Sequence, residues 1–473
     1  MTDNKVSQAV VIGGGISGLS AAWFLQEKRI PYTLIEKSER WGGKVRTDMI
    51  RHDDTPDSPF VVEAGPDSFI AQKPWAAQLA SALGLSDELI GTNDDCRKIF
   101  VLNRGKLTPL PDGLLLIVPT KFMPFALSPL ISIPGKLRLA LEPFLPVRNT
   151  DVDESLADFV TRRLGAEILD KLAEPLMSGI YNTDPYDQSL LATFPRFRAL
   201  ECQYGSLTRG MIESRRASAN NRTNDAKPAS LFLSFRCGMQ TLVDRLVERL
   251  TGDLRLNTGV IRIERLDDGH AARYRVTLSD GSTIETDLVF VTTSAPITAH
   301  LIRAFSPDAA ALIESIRYVT TGTISLAFRA ADAPLPPSFG VVIPRSENRP
   351  INAVTVSSIK FDHRSPDGYV LLRAFFGGSR SPQTVDLADE SLISLVREQL
   401  RIIYGIKAAP LFTRIYRWHE ATPQYAVGHL DRVAAVEKSL PPGMFVTGSA
   451  FRGVGVPDCV HQAAQTVERA LTP

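Results

Sequence analysis

The chain has 473 residues, which at roughly 100–200 residues per domain makes two to three domains with sizeable cores and excludes fibres, peptide hormones and disulfide-stapled miniproteins. Its 53 basic and 52 acidic residues leave a formal charge of +1 and no long basic run, so the expected partner is a small molecule and not a nucleic acid. Apolar residues at 44% and charged residues at 22% match a soluble globular balance and exclude wholesale disorder.

In chain order, residues 9–12 (Ala-Val-Val-Ile) form an apolar strand, a Gly13-x-Gly15-x-x-Gly18 turn follows, and residues 19–27 continue as a helix. Residues 32–35 are the next strand, and Glu36 stands at its end, 18 residues after Gly18. This βαβ unit predicts a dinucleotide site. The glycines allow the turn, the approach of a pyrophosphate and close helix–strand packing, the helix N-terminus holds the phosphate charge, and Glu36 accepts hydrogen bonds from an adenosine ribose. A second glycine turn, Arg40-Trp-Gly42-Gly43-Lys44, follows the acid.

Residues 72–210 are expected to be mostly helical, with segments such as 156–164 and 166–176 broken by prolines. Within them the aliphatic stretches 114–118 and 122–133 suit a buried core, the lining of an apolar channel or a peripheral membrane contact. Residues 211–230, rich in Arg, Ser and Asn, are expected to be a linker loop, after which 239–250 resume helical spacing. Residues 254–257, 260–266, 274–278, 283–286 and 288–292 are short strands around an Asp280-Gly281 turn. A mixed region, 297–435, precedes a closing strand, a glycine-rich turn Gly453-Val-Gly455-Val-Pro457-Asp458 and a helix to 471. Pro457 and Asp458 suit its first turn.

Cys96, Cys202, Cys237 and Cys459 lie far apart with no Cys-x-x-Cys pair, and the histidines show no metal-ligand spacing, so neither disulfides nor a metal are expected. The polar N-terminus runs straight into a strand and predicts no signal peptide. Residues 122–135 are the longest uncharged stretch and carry Pro124, Pro129 and Pro134, so no transmembrane helix is expected and the location is cytoplasmic.

The Gly65-Pro-Asp-Ser-Phe69, Glu174-Pro-Leu-Met-Ser-Gly-Ile-Tyr181, Thr193-Phe-Pro195 and Gly453-Val-Gly-Val-Pro-Asp458 motifs, together with the N-terminal glycines, resemble the porphyrinogen oxidases of late haem biosynthesis. Those are members of the FAD-dependent amine oxidase superfamily. Arg417-Trp-His-Glu420 and Pro423-Gln-Tyr-Ala-Val-Gly-His429 are most similar to the Gram-positive-type branch, associated with coproporphyrinogen III. The alternative within the family is protoporphyrinogen IX. The resemblance implies an α/β fold: a Rossmann-like FAD domain from 1–71, 231–296 and 436–473, a helical subdomain over 72–210, and a mixed α+β substrate domain over 297–435. It implies non-covalent FAD, a six-electron oxidation to porphyrin, and oxygen as acceptor giving hydrogen peroxide. Transient contact with a ferrochelatase belongs to the same expectation.

Carried onto this sequence, the resemblance assigns Gly13, Gly14, Gly15, Ile16, Ser17 and Gly18 to the pyrophosphate and Glu36 and Lys37 to the adenosine side. Gly42, Gly43 and Lys44 lie near the ribityl chain and Val260 at the adenine. Gly65, Pro66, Asp67, Ser68, Trp418, Val454, Gly455 and Val456 surround the flavin, and Lys73, Gly179 and Ile180 meet the tetrapyrrole, Lys73 as a point charge for a propionate. Where many relatives outside this branch place an acidic residue after Gly448, this chain has Ser449. Flavin N5 is the reactive atom and no side chain is assigned a catalytic role. Cys459 and His461 are expected to be packing residues. Two rivals remain: a flavin oxidase for an amine or polyene, and a non-catalytic binding protein on the same fold, as in Rab escort and GDP-dissociation-inhibitor proteins.

Overall fold

The structure, a computed structural model, describes residues 8–115, 117–148, 150–220, 230–267 and 270–472. Its centre is a five-stranded, all-parallel sheet drawn from three distant segments. The strands are β1 (Ala9–Ile12), β2 (Tyr32–Ile35), β3 (Asp253–Arg255), β4 (Leu288–Val291) and β5 (Met444–Val446), in the order β3-β2-β1-β4-β5. β1, β2 and β4 are fully buried, which is why they read as unbroken apolar runs instead of alternating ones. Ala9 and Val11 face one core, with α1 (Ile16–Glu27), α2 (Val456–Leu471) and the helix Gln240–Arg249. Val10 and Ile12 face another, beneath the three-stranded antiparallel sheet of residues 260–286 and the helices Ala295–Ile302, Pro307–Glu314 and His429–Ser439. In register, Ile12 pairs with Ile35 and Val291, and Val291 with Val446. The carboxyl ends of four strands are therefore level, and the crevice beyond them is where a parallel sheet binds its ligand.

A seven-stranded sheet packs the helix Asp389–Tyr404 on one face. Its strands run, in order, Phe412–Pro423, Tyr318–Arg329, Tyr369–Gly377, Ala353–Val356, Gly340–Val342, Ile99–Asn103 and Lys106–Pro109. The last two correct the expectation of a mostly helical stretch over 72–210, since residues 89–119 carry five short strands. Ile99-Phe-Val-Leu102 is apolar, β-branched and aromatic, and Arg104 and Gly105 both take positive φ (53° and 72°), which closes a two-residue hairpin.

The remainder of that stretch is helical. Ser155 caps Leu156–Arg163 by accepting from the Asp158 amide at 3.0 Å. Residues Leu169–Ser178 are wound wider, in π-helical geometry, around Pro175. Leu207–Asn220 corrects the linker expected over 211–230: the helix continues to Asn220, while residues 221–229 lie outside the described ones. Its N-terminus is capped from far upstream, as the buried Glu142 carboxylate accepts from the Leu207 and Thr208 amides at 2.8 and 3.2 Å and from the Ser206 hydroxyl at 2.5 Å. Helices Phe122–Leu127 and Ile133–Ala140 bury Phe125 and Leu139 but turn most of their other large apolar side chains outward.

Candidate functional site

The crevice is built from two glycine turns and two helix ends. A Cβ on Gly18 would stand 1.8 Å from the Gly13 carbonyl oxygen, so only glycine lets α1 start this close to β1. Gly15 caps α1 without a side-chain hydrogen bond, which leaves the first amides, Ile16 to Gly18, with no intrahelical acceptor and a partial positive charge at the crevice. The second turn lies alongside: the Gly42 amide donates to the Gly14 carbonyl at 2.8 Å. A Cβ on Gly43 would be 3.1 Å from Gly15 Cα. Lys44 donates to the Ala421 carbonyl, and desolvation draws its ammonium below the usual lysine range.

Glu36 is fixed before any ligand arrives. Its carboxylate accepts from the Gly14 amide at 2.6 Å and the Ser38 amide at 2.8 Å, and each oxygen keeps acceptor capacity for a hydroxyl. The Glu36 carbonyl accepts from the Thr258 amide at 3.0 Å. A Cβ on Gly259 would be 3.7 Å from the Lys37 Cγ, so Val260, the first residue of Val260–Arg265, is brought to the same side as Lys37.

The 65–68 loop lies on the Lys44 backbone, where a Cβ on Gly65 would be 1.9 Å from the Lys44 carbonyl oxygen. From behind, Arg373, 4% exposed, donates to the Ala64 and Gly65 carbonyls at 3.2 and 2.7 Å. Trp418 Nε1 donates to the Ala64 carbonyl at 2.9 Å, and Lys360 holds Asp67 at 2.9 Å and the Ser68 hydroxyl at 3.3 Å. Burial alone would raise Asp67, but the charges of Lys360 and Arg373 hold its carboxyl well below the usual range. Glu63, just before this loop, accepts from the Met239 amide at 2.7 Å and the Thr47 hydroxyl at 2.8 Å, and burial pushes it up to about 7.

The second helix end belongs to α2. Gly455 caps it, again without a side-chain hydrogen bond, and Asp458 sits in the first turn. A Cβ on Gly448 would be 3.3 Å from Ser17 Oγ, so the loop before α2 meets the start of α1. Val454 and Gly455 are partly open to the crevice and Val456 is buried. Lys73, expected to stand free for a carboxylate, is instead bound by Asp458, its Nζ 2.7 and 2.8 Å from the two carboxylate oxygens. Gly179 is exposed with nothing within 4 Å of a Cβ placed on it, and the Ile180 side chain lies outside the described residues. Next to them Tyr181 packs edge-on against Phe194 (5.8 Å, 80°) and near Tyr425 (6.3 Å). Its hydroxyl is raised by burial and by the charge of Asp458. Cys459 is buried, its thiol pushed up to about 11, and His461 stacks on Trp75 at 3.8 Å.

Sequence reasoning missed Arg373, Lys360 and Tyr425. Arg373 carried a usable signal, a lone arginine inside the apolar strand Tyr-Val-Leu-Leu-Arg-Ala-Phe-Phe-Gly. Lys360 carried none, since its partner Asp67 is 293 residues away.

Two helix N-termini without side-chain caps, paired glycine turns and an oriented acid fit an anionic dinucleotide. The chain belongs to the flavin-containing amine oxidoreductase family, whose model matches residues 16–471. Its cofactor is accordingly a flavin and its activity that of an oxidoreductase. Among curated proteins it is 35% identical to the coproporphyrinogen III oxidase of Bacillus subtilis (strain 168), over 100% of this chain and 99% of that protein. It is 29% identical to the chloroplastic protoporphyrinogen oxidase of Nicotiana tabacum, over 96% and 83%. A solved structure from Exiguobacterium sp. 255-15 superposes with a TM-score of 0.84 at 33% identity, over 98% of each chain.

Proposed function

We propose that this chain oxidises a porphyrinogen to a porphyrin, with coproporphyrinogen III as preferred substrate, FAD held non-covalently, and oxygen as acceptor giving hydrogen peroxide. One observation carries this: the likeness to a coproporphyrinogen III oxidase runs from end to end of both chains, through 297–435 as well as the dinucleotide crevice. FAD supplies a two-electron acceptor, so aromatising the macrocycle takes three rounds. The two helix ends and Glu36 would hold the cofactor, and the 65–68 loop, Trp418 and residues 454–456 would border its ring. In this reading 1–71, 231–296 and 436–473 serve the cofactor and 297–435 the substrate. Pyrrole protons leave by tautomerisation, so the protein's part is to orient the macrocycle and keep the site dry. Gly179 and Ile180 flank the macrocycle, and a substrate carboxylate meets Lys73 as half of an ion pair with Asp458.

The proposal extends to a membrane surface. Phe122, Met123, Leu127, Ile133, Leu137, Leu141 and Phe144 are 56–79% exposed. Between Asp112 and Glu142 the sequence carries Lys121, Lys136 and Arg138 and no acidic residue. Apolar side chains among cations support peripheral contact with an anionic bilayer. No helix among the described residues is long and apolar enough to cross it. Hand-over of the porphyrin product to a ferrochelatase by transient contact completes the proposal.

The test is an aerobic assay of purified, FAD-loaded protein that follows porphyrin fluorescence and peroxide together. The expected result is one peroxide per electron pair, three per porphyrin; porphyrin formed without peroxide would remove oxygen as the acceptor.

A further inference from the structure

The loop 447–455 between β5 and α2 receives little help from regular secondary structure, yet the backbone polar groups of its centre are met one after another by buried side chains. Tyr425, 1% exposed, donates its hydroxyl hydrogen to the Ser449 carbonyl at 2.7 Å and accepts from the Gly453 amide at 2.9 Å. His429 is fully buried, stacks on the Tyr425 ring (4.0 Å, 16°) and has Nε2 2.7 Å from the Phe451 carbonyl oxygen. A carbonyl only accepts, so the proton is on Nε2. Gln462, from α2, accepts from the Arg452 amide at 3.0 Å and donates to the Gly453 carbonyl at 3.2 Å.

We propose that Tyr425 and His429 are positioning residues for the flavin: by fixing the backbone of 449–453 they aim residues 454–456 and the α2 N-terminus, and so set both FAD affinity and the flavin potential. Gln462 holds the same loop from the far side. The inference rests on the flavin lying against 454–456, as proposed above. Its physical basis is that Tyr425 and Gln462 spend both polar functions of their side chains on this loop and His429 its Nε2–H. Tyr425 uses both functions of its hydroxyl there, and its ring stands between His429 and Tyr181, the residue next to the proposed substrate wall. A loop whose peptide dipoles are held this way keeps its orientation through a redox cycle, which is how fixed dipoles bias one oxidation state over another.

Tyr425→Phe keeps the ring and its stack but leaves the Ser449 carbonyl and the Gly453 amide unpaired. Tyr404→Phe is the matched control, because the Tyr404 hydroxyl is buried without a hydrogen-bond partner and lies in another core. Apoprotein of each is titrated with FAD, and the midpoint potential of the bound flavin is measured by dye equilibration. The expectation is an FAD Kd raised about tenfold in Tyr425→Phe, a displaced potential, and wild-type values in Tyr404→Phe. His429→Gln, which can still donate to the Phe451 carbonyl, is expected to keep more affinity than His429→Leu, which cannot; this pair tests the loop without touching Tyr425. Wild-type affinity and potential in both Tyr425→Phe and His429→Leu would overturn the inference. Gly455→Leu separates the premises. If it abolishes FAD binding while Tyr425→Phe and His429→Leu both change nothing, the positioning role falls and the flavin placement stands; if it leaves FAD binding intact, the placement falls and the positioning role with it.

Discussion

Asp458 changes what Lys73 can do. A free lysine would meet a propionate as a full charge, but with both Asp458 oxygens within 2.8 Å the pair is close to neutral, and a substrate carboxylate must displace or share the bond. Coproporphyrinogen III carries four carboxylates and protoporphyrinogen IX two. Asp458→Asn is therefore expected to lower KM for the first relative to the second, by about threefold for a partly exposed pair; an unchanged ratio would show that Lys73 does not meet substrate. Glu142 is the structural counterpart. It is the ion-pair partner of Arg163, both fully buried, and the cap of Leu207–Asn220. Glu142→Ala leaves a guanidinium buried without that partner, and denaturant unfolding is expected to show a loss of about 3–5 kcal/mol.

At the scale of elements, what was legible followed from local order. β1, α1 and β2 could be placed because apolar runs, a glycine turn and an acid occur within 28 residues, Ala9 to Glu36. The strands of 260–286 could be placed because the Asp280-Gly281 turn fixes their hairpin. Leu207–Asn220 could not, since its polar composition resembles a loop and its cap comes from Glu142, 65 residues upstream of Leu207. Lys360 behind the 65–68 loop was hidden for the same reason, since it reaches Asp67 by tertiary folding alone, whereas Arg373 shows in the sequence as a lone arginine inside an apolar strand. Helices Phe122–Leu127 and Ile133–Ala140 show the limit of composition: aliphatic content suited core, channel lining and membrane contact alike, and neighbours cover only one face. Leu127→Asp with Ile133→Asp is expected to reduce binding to anionic vesicles about tenfold while moving the unfolding free energy by less than about 1 kcal/mol. Unchanged vesicle binding would leave the membrane proposal without support.

For the whole molecule, stability against pH is set partly by two buried groups of opposite sign. Glu63 is raised by burial from 4.5 to about 7. The folded state therefore holds a proton that the unfolded state releases, and stability falls as pH rises through that window. His429 is lowered by burial from 6.5 to about 4, so the unfolded imidazole protonates first and stability falls as pH drops through its window. Between the unfolded values the two effects offset. Glu63→Gln removes the first, and its unfolding free energy is expected to rise with pH from 4 to 6.5 by up to about 1.4 kcal/mol per unit more steeply than that of the wild type. Equal slopes in denaturant titrations would mean that Glu63 titrates normally.

The central claim, a crevice built to bring FAD against a porphyrinogen, is tested most directly by anaerobic stopped flow. FAD-loaded protein is mixed with coproporphyrinogen III or protoporphyrinogen IX while flavin absorbance and porphyrin fluorescence are followed. The account predicts flavin bleaching coupled to porphyrin formation, faster with coproporphyrinogen III. Flavin that stays oxidised with both substrates would contradict it, and bleaching by an amine or polyene instead would move the chain to another activity of its family.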